Sequence, residues 1–122
     1  MKKLVNGNLN DVIKKKKTHW VMGHFMDPKT PFYNREFEIK WGAHKKGESK
    51  NKAVENNNSK TLCILIDGKV LMKFPEKEIV LSKKGDYVFW GKGIPHTWSV
   101  LEDCTTISIR WPSVPSDQKI SK

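Results

Sequence analysis

Short apolar runs separated by turn residues dominate the pattern of the chain. In Glu36–Trp41 polar and apolar residues alternate, so Phe37, Ile39 and Trp41 share one face that we expect to point inward, as in a half-buried β-strand. Asp67-Gly68 separates two apolar runs and favours a β-hairpin. Further strands are predicted at His19–Met26, Thr61–Ile66, Lys69–Phe74, Glu78–Leu81, Tyr87–Trp90, His96–Val100 and Thr105–Trp111. The pattern predicts an all-β sandwich, jelly roll or barrel.

The remaining segments are polar. Residues 1–17 end in four lysines and are predicted to form a short helix around Leu9–Ile13 or a loose arm. Gly47–Lys60 has almost no apolar residue and three consecutive Asn, which predicts an exposed, mobile loop that is dispensable for folding. With a polar tail at residues 114–122, one barrel domain is expected over residues 18–113.

Composition narrows the class of protein. The chain has 122 residues, 37% hydrophobic and 30% charged, which is typical of one soluble globular domain. Leu4-Val5 is too short for the apolar part of a secretory signal, and no apolar run approaches the roughly 18 residues of a membrane span. We therefore expect a cytoplasmic protein in which Cys63 and Cys104 are reduced.

The net charge of +10 raises nucleic-acid binding as a hypothesis. Almost all of the positive charge is lysine, and the arginines are Arg35 and Arg110. Base and phosphate recognition usually relies on the guanidinium fork, so a solvated lysine surface is the favoured interpretation. A basic interaction protein stays as an alternative.

The segment Gly85–Val100 carries the strongest candidate chemistry. Gly93 permits a tight bend, and Pro95 fixes the backbone just before His96. On a strand His96 and Trp98 share one face, because they are two residues apart. Such a pair predicts either a platform for a small ligand or part of a metal site.

The same segment resembles the second conserved motif of the cupin superfamily. Gly85, Gly93 and His96 match that motif at its spacings, while Gly91 replaces the usual Pro and Val100 the usual Asn. The resemblance implies a double-stranded β-helix, also called a jelly-roll barrel, with its site in the barrel mouth around His96.

The first cupin motif is matched only in part. His44 and Glu48 fit its second His and its Glu, but Gly42 stands where the first His is usual. The 19 residues between Glu48 and Gly68 are too many, so either a loop is inserted or Thr61 takes the Glu position. The ligand set therefore stays open.

From the resemblance, the implied cofactor is one divalent metal (Fe, Mn, Ni or Zn) or none. His96, His44 and Glu48 would supply two imidazoles and a carboxylate to such a metal. If Trp41 points inward, strict alternation turns His44 outward, unless a bulge at Gly42 re-aims it.

A metal-free site is the alternative. Arg110 shares a strand face with two hydroxyl residues and is expected either to clamp a ligand's carboxylate or phosphate, or to pair with a residue such as Glu38. Aromatic walls for an apolar or planar ligand would come from Trp41, Trp90 and Trp98.

Over residues 19–113 the chain is similar to small cyanobacterial cupin-like proteins, some of which carry the label signal peptidase I. That activity needs a membrane anchor and a Ser–Lys dyad, which the sequence does not predict. We expect a small cupin that binds a small molecule, either as a metal-dependent oxygenase, isomerase or lyase or as a metal-free sensor or carrier. A homodimer is expected, with Trp20–Met26 covering a strand edge of its neighbour.

Overall fold

One helix and eight strands form the described part of the chain, residues 4–122 of a computed structural model. Met1–Lys3, the start of the predicted arm, lie outside the described residues. The elements are α1 Leu9–Lys16, β1 Trp20–Met22, β2 Glu38–His44, β3 Ser49–Asn56, β4 Lys60–Lys73, β5 Glu78–Leu81, β6 Tyr87–Trp90, β7 His96–Trp111 and β8 Gln118–Ile120. The predicted all-β class is confirmed.

Helix α1 is capped at both ends. The side chain of Asn8 accepts a hydrogen bond from the Asn10 backbone N–H, and Lys17 adopts a left-handed conformation and donates its N–H to the Ile13 carbonyl. The last turn carries Lys14, Lys15 and Lys16, whose charges complement the negative end of the helix dipole. Of the two predicted alternatives, the helix forms.

Two long strands organise the barrel. β4 and β7 pair antiparallel along most of their lengths. The first part of β4 also pairs with β6, and its last part with β5. In the same way, β7 pairs first with β3 and then with β2. Because each long strand changes its second partner along its length, the sheet curls and encloses an interior.

The predicted hairpin at Asp67-Gly68 is wrong, because β4 runs through it as one strand with register shifts against β7. Gly68 has a φ of 86°, and a Cβ there would lie 2.1 Å from the carbonyl oxygen of Asp103. Glycine is required for this close approach of the two strands. A turn dipeptide here marks a bend within a strand.

The face assignment of β2 is also reversed. Glu38, Gly42 and His44 are buried, and Phe37, Ile39 and Trp41 are not. The outer side of the sheet holds two rows of apolar neighbours across β2, β7, β4 and β6, which we call the outer apolar face. Its rows are Ile39–Ile109–Leu62–Phe89 and Trp41–Ile107–Ile64–Tyr87. The outer side of the barrel is apolar here. The alternation of polar and apolar residues therefore identified an amphipathic strand, but it did not show which of the two faces points inward.

Apolar packing concentrates on the inner side of β4 and its neighbours. The buried apolar cluster consists of Cys63, Leu65, Val70, Met72, Leu81, Val88, Trp90, Val100 and Cys104. Leu65 has no accessible surface. This cluster fills one part of the interior and leaves the part between β2, β3 and β7 to polar side chains.

The predicted loop at Gly47–Lys60 is wrong, and the strand that forms there argues against the prediction that the segment is dispensable. Residues 49–56 form β3, which lies between β7 and β8, with Val54 and Asn56 buried. Strand β3 can form with few apolar residues, because backbone pairing and polar contacts hold it in the sheet. Nor is His19–Met26 one strand, since β1 ends at Met22 and a turn begins at Gly23.

Asp117 joins the C-terminal segment to the end of β3. Its carboxylate accepts hydrogen bonds from the backbone N–H groups of Asn58 and Ser59 at 2.9 and 3.0 Å, and from the side-chain amides of Asn56 and Asn58 at 3.1 and 2.9 Å. Strand β8 follows directly and pairs with β3. Within the predicted tail, Gln118–Ile120 are thus part of the sheet.

Asp117→Asn is expected to destabilise the protein in a pH-dependent way. Burial raises the pKa of Asp117, but its hydrogen bonds outweigh that effect and hold the pKa at about 2. A depressed pKa contributes stability above the ordinary value near 4 that is lost as the pH falls towards 2. We expect the free energy of unfolding to fall by about 2 kcal/mol at pH 7.

The measurement is denaturant unfolding of wild type and variant between pH 2 and pH 7. Glu76→Gln is the matched control, because it removes one charge from an exposed carboxylate. A difference between wild type and Asp117→Asn that stays constant down to pH 2 would contradict the role assigned to the carboxylate.

Candidate functional site

A cavity of about 100 Å³ lies inside the barrel. Its charged wall residues are Lys40 from β2, Lys50 from β3 and Arg110 from β7. No Asp or Glu among residues 4–122 lines it. Hydroxyl groups of Thr61, Thr106 and Ser108 and the thiols of Cys63 and Cys104 complete the polar part of the wall. The cavity is small, and the charged side chains of residues 4–122 that line it are all cationic.

Most predicted site residues meet at this cavity, and two do not. Its lining includes His44, His96, Trp90, Trp98 and Arg110. Trp41 instead points outward and donates its indole N–H to the side chain of Asn10 at 2.8 Å, so its assignment to a ligand pocket is corrected. The side chain of Glu48 is 45% exposed and lies outside the cavity lining.

Both cavity histidines present an unprotonated ring nitrogen. His96 Nδ1 donates to the Ile94 carbonyl at 3.0 Å, and His44 Nδ1 donates to Glu48 Oε1 at 3.1 Å. Burial lowers the pKa of each imidazole, and for His44 the charge of Lys40 lowers it further. In a neutral ring with Nδ1 protonated, Nε2 holds the lone pair. His44 Nε2 is buried and has no hydrogen-bond partner among the described residues.

The residues do not fit the predicted three-ligand metal site. A neutral Nε2 is a suitable metal ligand, and His44 points inward because the strand keeps its alternation with Trp41 on the outer face. Glu48, however, accepts from His44 Nδ1 and from the Lys45 backbone N–H, which lowers its pKa. No group of three or more His, Cys, Asp or Glu within residues 4–122 is arranged to hold a metal ion. The orphaned Nε2 of His44 suits a hydrogen-bond donor on a ligand.

Lys40 is the central cation of the cavity. Its Nζ lies 5.1 Å from the centroid of the Trp98 ring, and the ring centroids of Trp98 and His44 are 4.7 Å apart. Burial lowers the pKa of Lys40 to about 8. The side chain keeps accessible surface, since it lines a cavity, but neighbouring protein atoms remove much of its hydration. Near neutral pH Lys40 is mostly charged but readily deprotonated.

Lys50 and Arg110 differ in how they are held. Lys50 Nζ donates to Gln118 Oε1 at 3.2 Å, and burial together with the charge of Arg110 lowers its pKa. Arg110 stacks on Trp20, with 4.0 Å from Cζ to the ring centroid, and its Nε donates to Glu38 Oε1. Neither Lys40 nor Lys50 forms a salt bridge in the described part of the chain. Two of the three cations are therefore uncompensated.

Behind the cavity, Glu38, Ser113 and His24 form a hydrogen-bonded group, which we call the brace, and Glu38 of this group pairs with Arg110. The side chain of Glu38 is 2% exposed, and its Oε2 accepts from Ser113 Oγ at 2.8 Å. Ser113 Oγ in turn lies 2.8 Å from His24 Nδ1 and accepts the His24 backbone N–H at 3.0 Å. Since the serine proton is donated to Glu38, His24 does not act as its base. This Ser–His–Glu group is structural, unlike a hydrolase triad.

Lys40 and Lys50 were not predicted as site residues. Lys40 follows Glu38 and precedes Gly42 and His44 at intervals of two, so a correct choice of the inward face would have found it. Lys50 lay in the segment predicted to be a loop. Charged residues on a barrel's inner face look like surface residues in a sequence.

No protein-family model matches the chain, and no curated protein resembles it in sequence. Solved structures do resemble it. An uncharacterised protein with a double-stranded β-helix domain from Klebsiella pneumoniae has a TM-score of 0.63 at 13% identity, over 73% of this chain and 77% of that one. KdgF from Halomonas has a TM-score of 0.58 at 14% identity, over 67% and 74%. A conserved protein of unknown function from Streptococcus pyogenes has 0.56 at 13%, over 64% and 66%.

These likenesses confirm the predicted fold class. The curled antiparallel sheet built on β4 and β7 is a double-stranded β-helix. Within residues 4–122, no helix is long and apolar enough to cross a membrane. Because one barrel hosts many activities, the function has to be argued from the cavity.

Glu38→Gln is expected to destabilise the protein by about 3 kcal/mol, because it leaves the partly buried Arg110 guanidinium without its counter-charge. The melting temperature should fall by roughly 10 °C for a domain of this size. Glu36→Gln, at an exposed position two residues earlier, is the control and should melt like the wild type. If both variants melt alike, the brace does not stabilise the barrel.

Proposed function

We propose that this chain binds a small organic acid in its barrel without a metal ion. The observation that carries the proposal is the uncompensated positive charge of Lys40 and Lys50 on a cavity that no carboxylate of residues 4–122 lines. A buried charge is costly unless it is paired, and a bound carboxylate would pair with both amines. This is the sensor or carrier alternative, with lysines added to the predicted Trp and Arg residues.

The rest of the wall restricts the ligand. The cavity of about 100 Å³ is small compared with the pockets that bind larger ligands, so it suits a compact acid better than a nucleotide or an oligosaccharide. The lone pairs on Nε2 of His44 and His96 are acceptors, so they would pair with a hydroxyl group of the ligand. Trp90 and Trp98 would pack on its apolar part.

The first test is binding of small carboxylic acids measured by calorimetry, with the corresponding neutral amides as controls. Acids are expected to bind and amides not. Affinity should be nearly constant between about pH 5 and pH 7, where the acid is ionised, and fall as the pH rises through 8, because Lys40, with a pKa of about 8, loses its proton. Lys50→Gln should weaken binding roughly tenfold, as expected for a lost hydrogen bond to a charged group, whereas Lys92→Gln on the exposed turn should not.

Elemental analysis of protein purified without a His tag separates this proposal from the metal hypothesis. Stoichiometric metal that disappears in His96→Ala would refute the metal-free site. Equal binding of acids and amides would refute recognition of the carboxylate.

We further propose that two copies pair through the outer apolar face. Tyr87 and Phe89 in its two rows are largely exposed, and monomers seldom leave large contiguous apolar patches in water. A net charge of +10 disfavours contact through the lysine-rich surfaces, so a neutral apolar face is where two like copies repel least. This replaces the edge-pairing argument, because β1 has only three residues and pairs with β2 of its own chain.

Sedimentation at tens of micromolar, a concentration at which interfaces of standard size associate, is expected to give a dimer. Phe89→Lys should give a monomer, because it places a charge at the exposed end of the face. Leu101→Lys, an exposed apolar position outside the face, is the matched control and should remain dimeric. A wild-type protein that sediments as a monomer would rule the pairing out.

A further inference from the structure

We propose that Lys40 forms an imine with the carbonyl group of a 2-oxo acid held in the cavity. The inference rests on the proposed binding of small organic acids and names the ligand class. It starts from the placement of an amine on an inner barrel wall, against Trp98 and beside two neutral imidazoles.

Lys40 is the nucleophile best suited to this cavity. Burial raises the pKa of the Cys63 thiol, and burial raises that of Cys104 to about 11, so both thiols are protonated and weakly reactive. Ser113 is buried and donates its proton to Glu38. Lys40 is desolvated and close to other cations, which is the setting that keeps a fraction of a lysine amine unprotonated. Its pKa of about 8 agrees with this placement.

The groups around Lys40 come from several elements. Those that face the cavity with it are His44, Lys50, Cys63, His96, Cys104 and Arg110. Lys50 carries the positive charge that would hold the carboxylate of the ligand while the amine of Lys40 is neutral, since Arg110 is paired with Glu38. In that fraction of molecules the acid is held more weakly than by both amines, and the adjacent carbonyl carbon is left for the amine of Lys40.

The reaction needs no oxidant or reductant. The lone pair of the neutral amine attacks the carbonyl carbon, a C–N bond forms, and the oxygen takes up a proton to give a carbinolamine. The nitrogen loses a proton, the hydroxyl group is protonated and leaves as water, and a C=N bond remains. The Nε2 lone pairs of His44 and His96 are the bases in the cavity wall that can pass these protons between nitrogen and oxygen.

The experiment uses the full chain with pyruvate and sodium borohydride, followed by intact-mass analysis and peptide mapping. Reduction of the imine adds the mass of the acid less one oxygen atom. We expect one major adduct, at Lys40, whose yield rises as the pH increases towards 8. Lactate, which has no carbonyl group, should protect against labelling. Adducts spread evenly over the surface lysines, with Lys40 unlabelled, would overturn the proposal.

Two variants sharpen the result. Lys40→Arg keeps the positive charge but has no nucleophilic amine, so it should still bind lactate and lose the major adduct. Lys92→Arg is the control and should be labelled like the wild type. If Lys40→Arg does not fold, the site of labelling in the wild type decides the matter.

Failure of this inference can be told apart from failure of the proposed function. If lactate binds by calorimetry and pyruvate gives no adduct at Lys40, the imine is refuted while acid binding stands. If lactate does not bind but the neutral aldehyde propanal still labels Lys40 selectively, the amine is reactive and acid binding is refuted. If neither occurs, both are refuted.

Discussion

The antiparallel pairing of β4 with β7 is the constraint on which the rest of this barrel depends. Each strand is longer than any of its other partners, and both bend where Gly68 passes the backbone of Asp103 and Cys104. The bend allows each long strand to pair with one short strand before it and another after it. Since alternate residues of β4 and β7 point inward, the same pairing delivers Cys63, Ser108 and Arg110 to one cavity. The site is a direct product of strand register.

The interior created in this way is electrostatically unusual. One cation, Arg110, is compensated by a buried carboxylate that is itself fixed by Ser113. Among residues 4–122, no carboxylate forms a salt bridge with Lys40, and burial lowers the pKa of its amine to about 8. Natural interiors seldom retain an uncompensated charge unless it serves a ligand or a reaction. Arg110 therefore belongs to a structural ion pair with Glu38, whereas Lys40 belongs to the candidate site.

The sequence predicted the fold class better than it predicted the site. Short strands, turn residues and the Gly85–Gly93–His96 spacing led to the right barrel and to the right wall for His96. The failures share a physical cause, namely that a barrel interior with a polar cavity reverses the usual relation between hydrophobicity and burial. Thus Trp41 was expected inside and Lys40 was overlooked. β3 was missed because its polar residues are fixed by pairing and by Asp117, which lies far away in the chain.

The lysine-rich last turn of α1 would affect how fast the proposed acid ligand reaches the cavity. Lys16 borders a surface groove together with Trp20, Arg110 and Gln118, and the last three also line the interior cavity. The groove therefore adjoins the cavity, and Lys16, one of a cluster of four consecutive exposed lysines, lies on its wall. Such a cluster attracts anions over roughly the Debye length, about 8 Å at physiological salt, and so raises the rate of encounter more than the strength of binding. The helix would therefore make the association rate of the proposed acid sensitive to ionic strength. The dissociation rate would depend on the contacts inside the barrel.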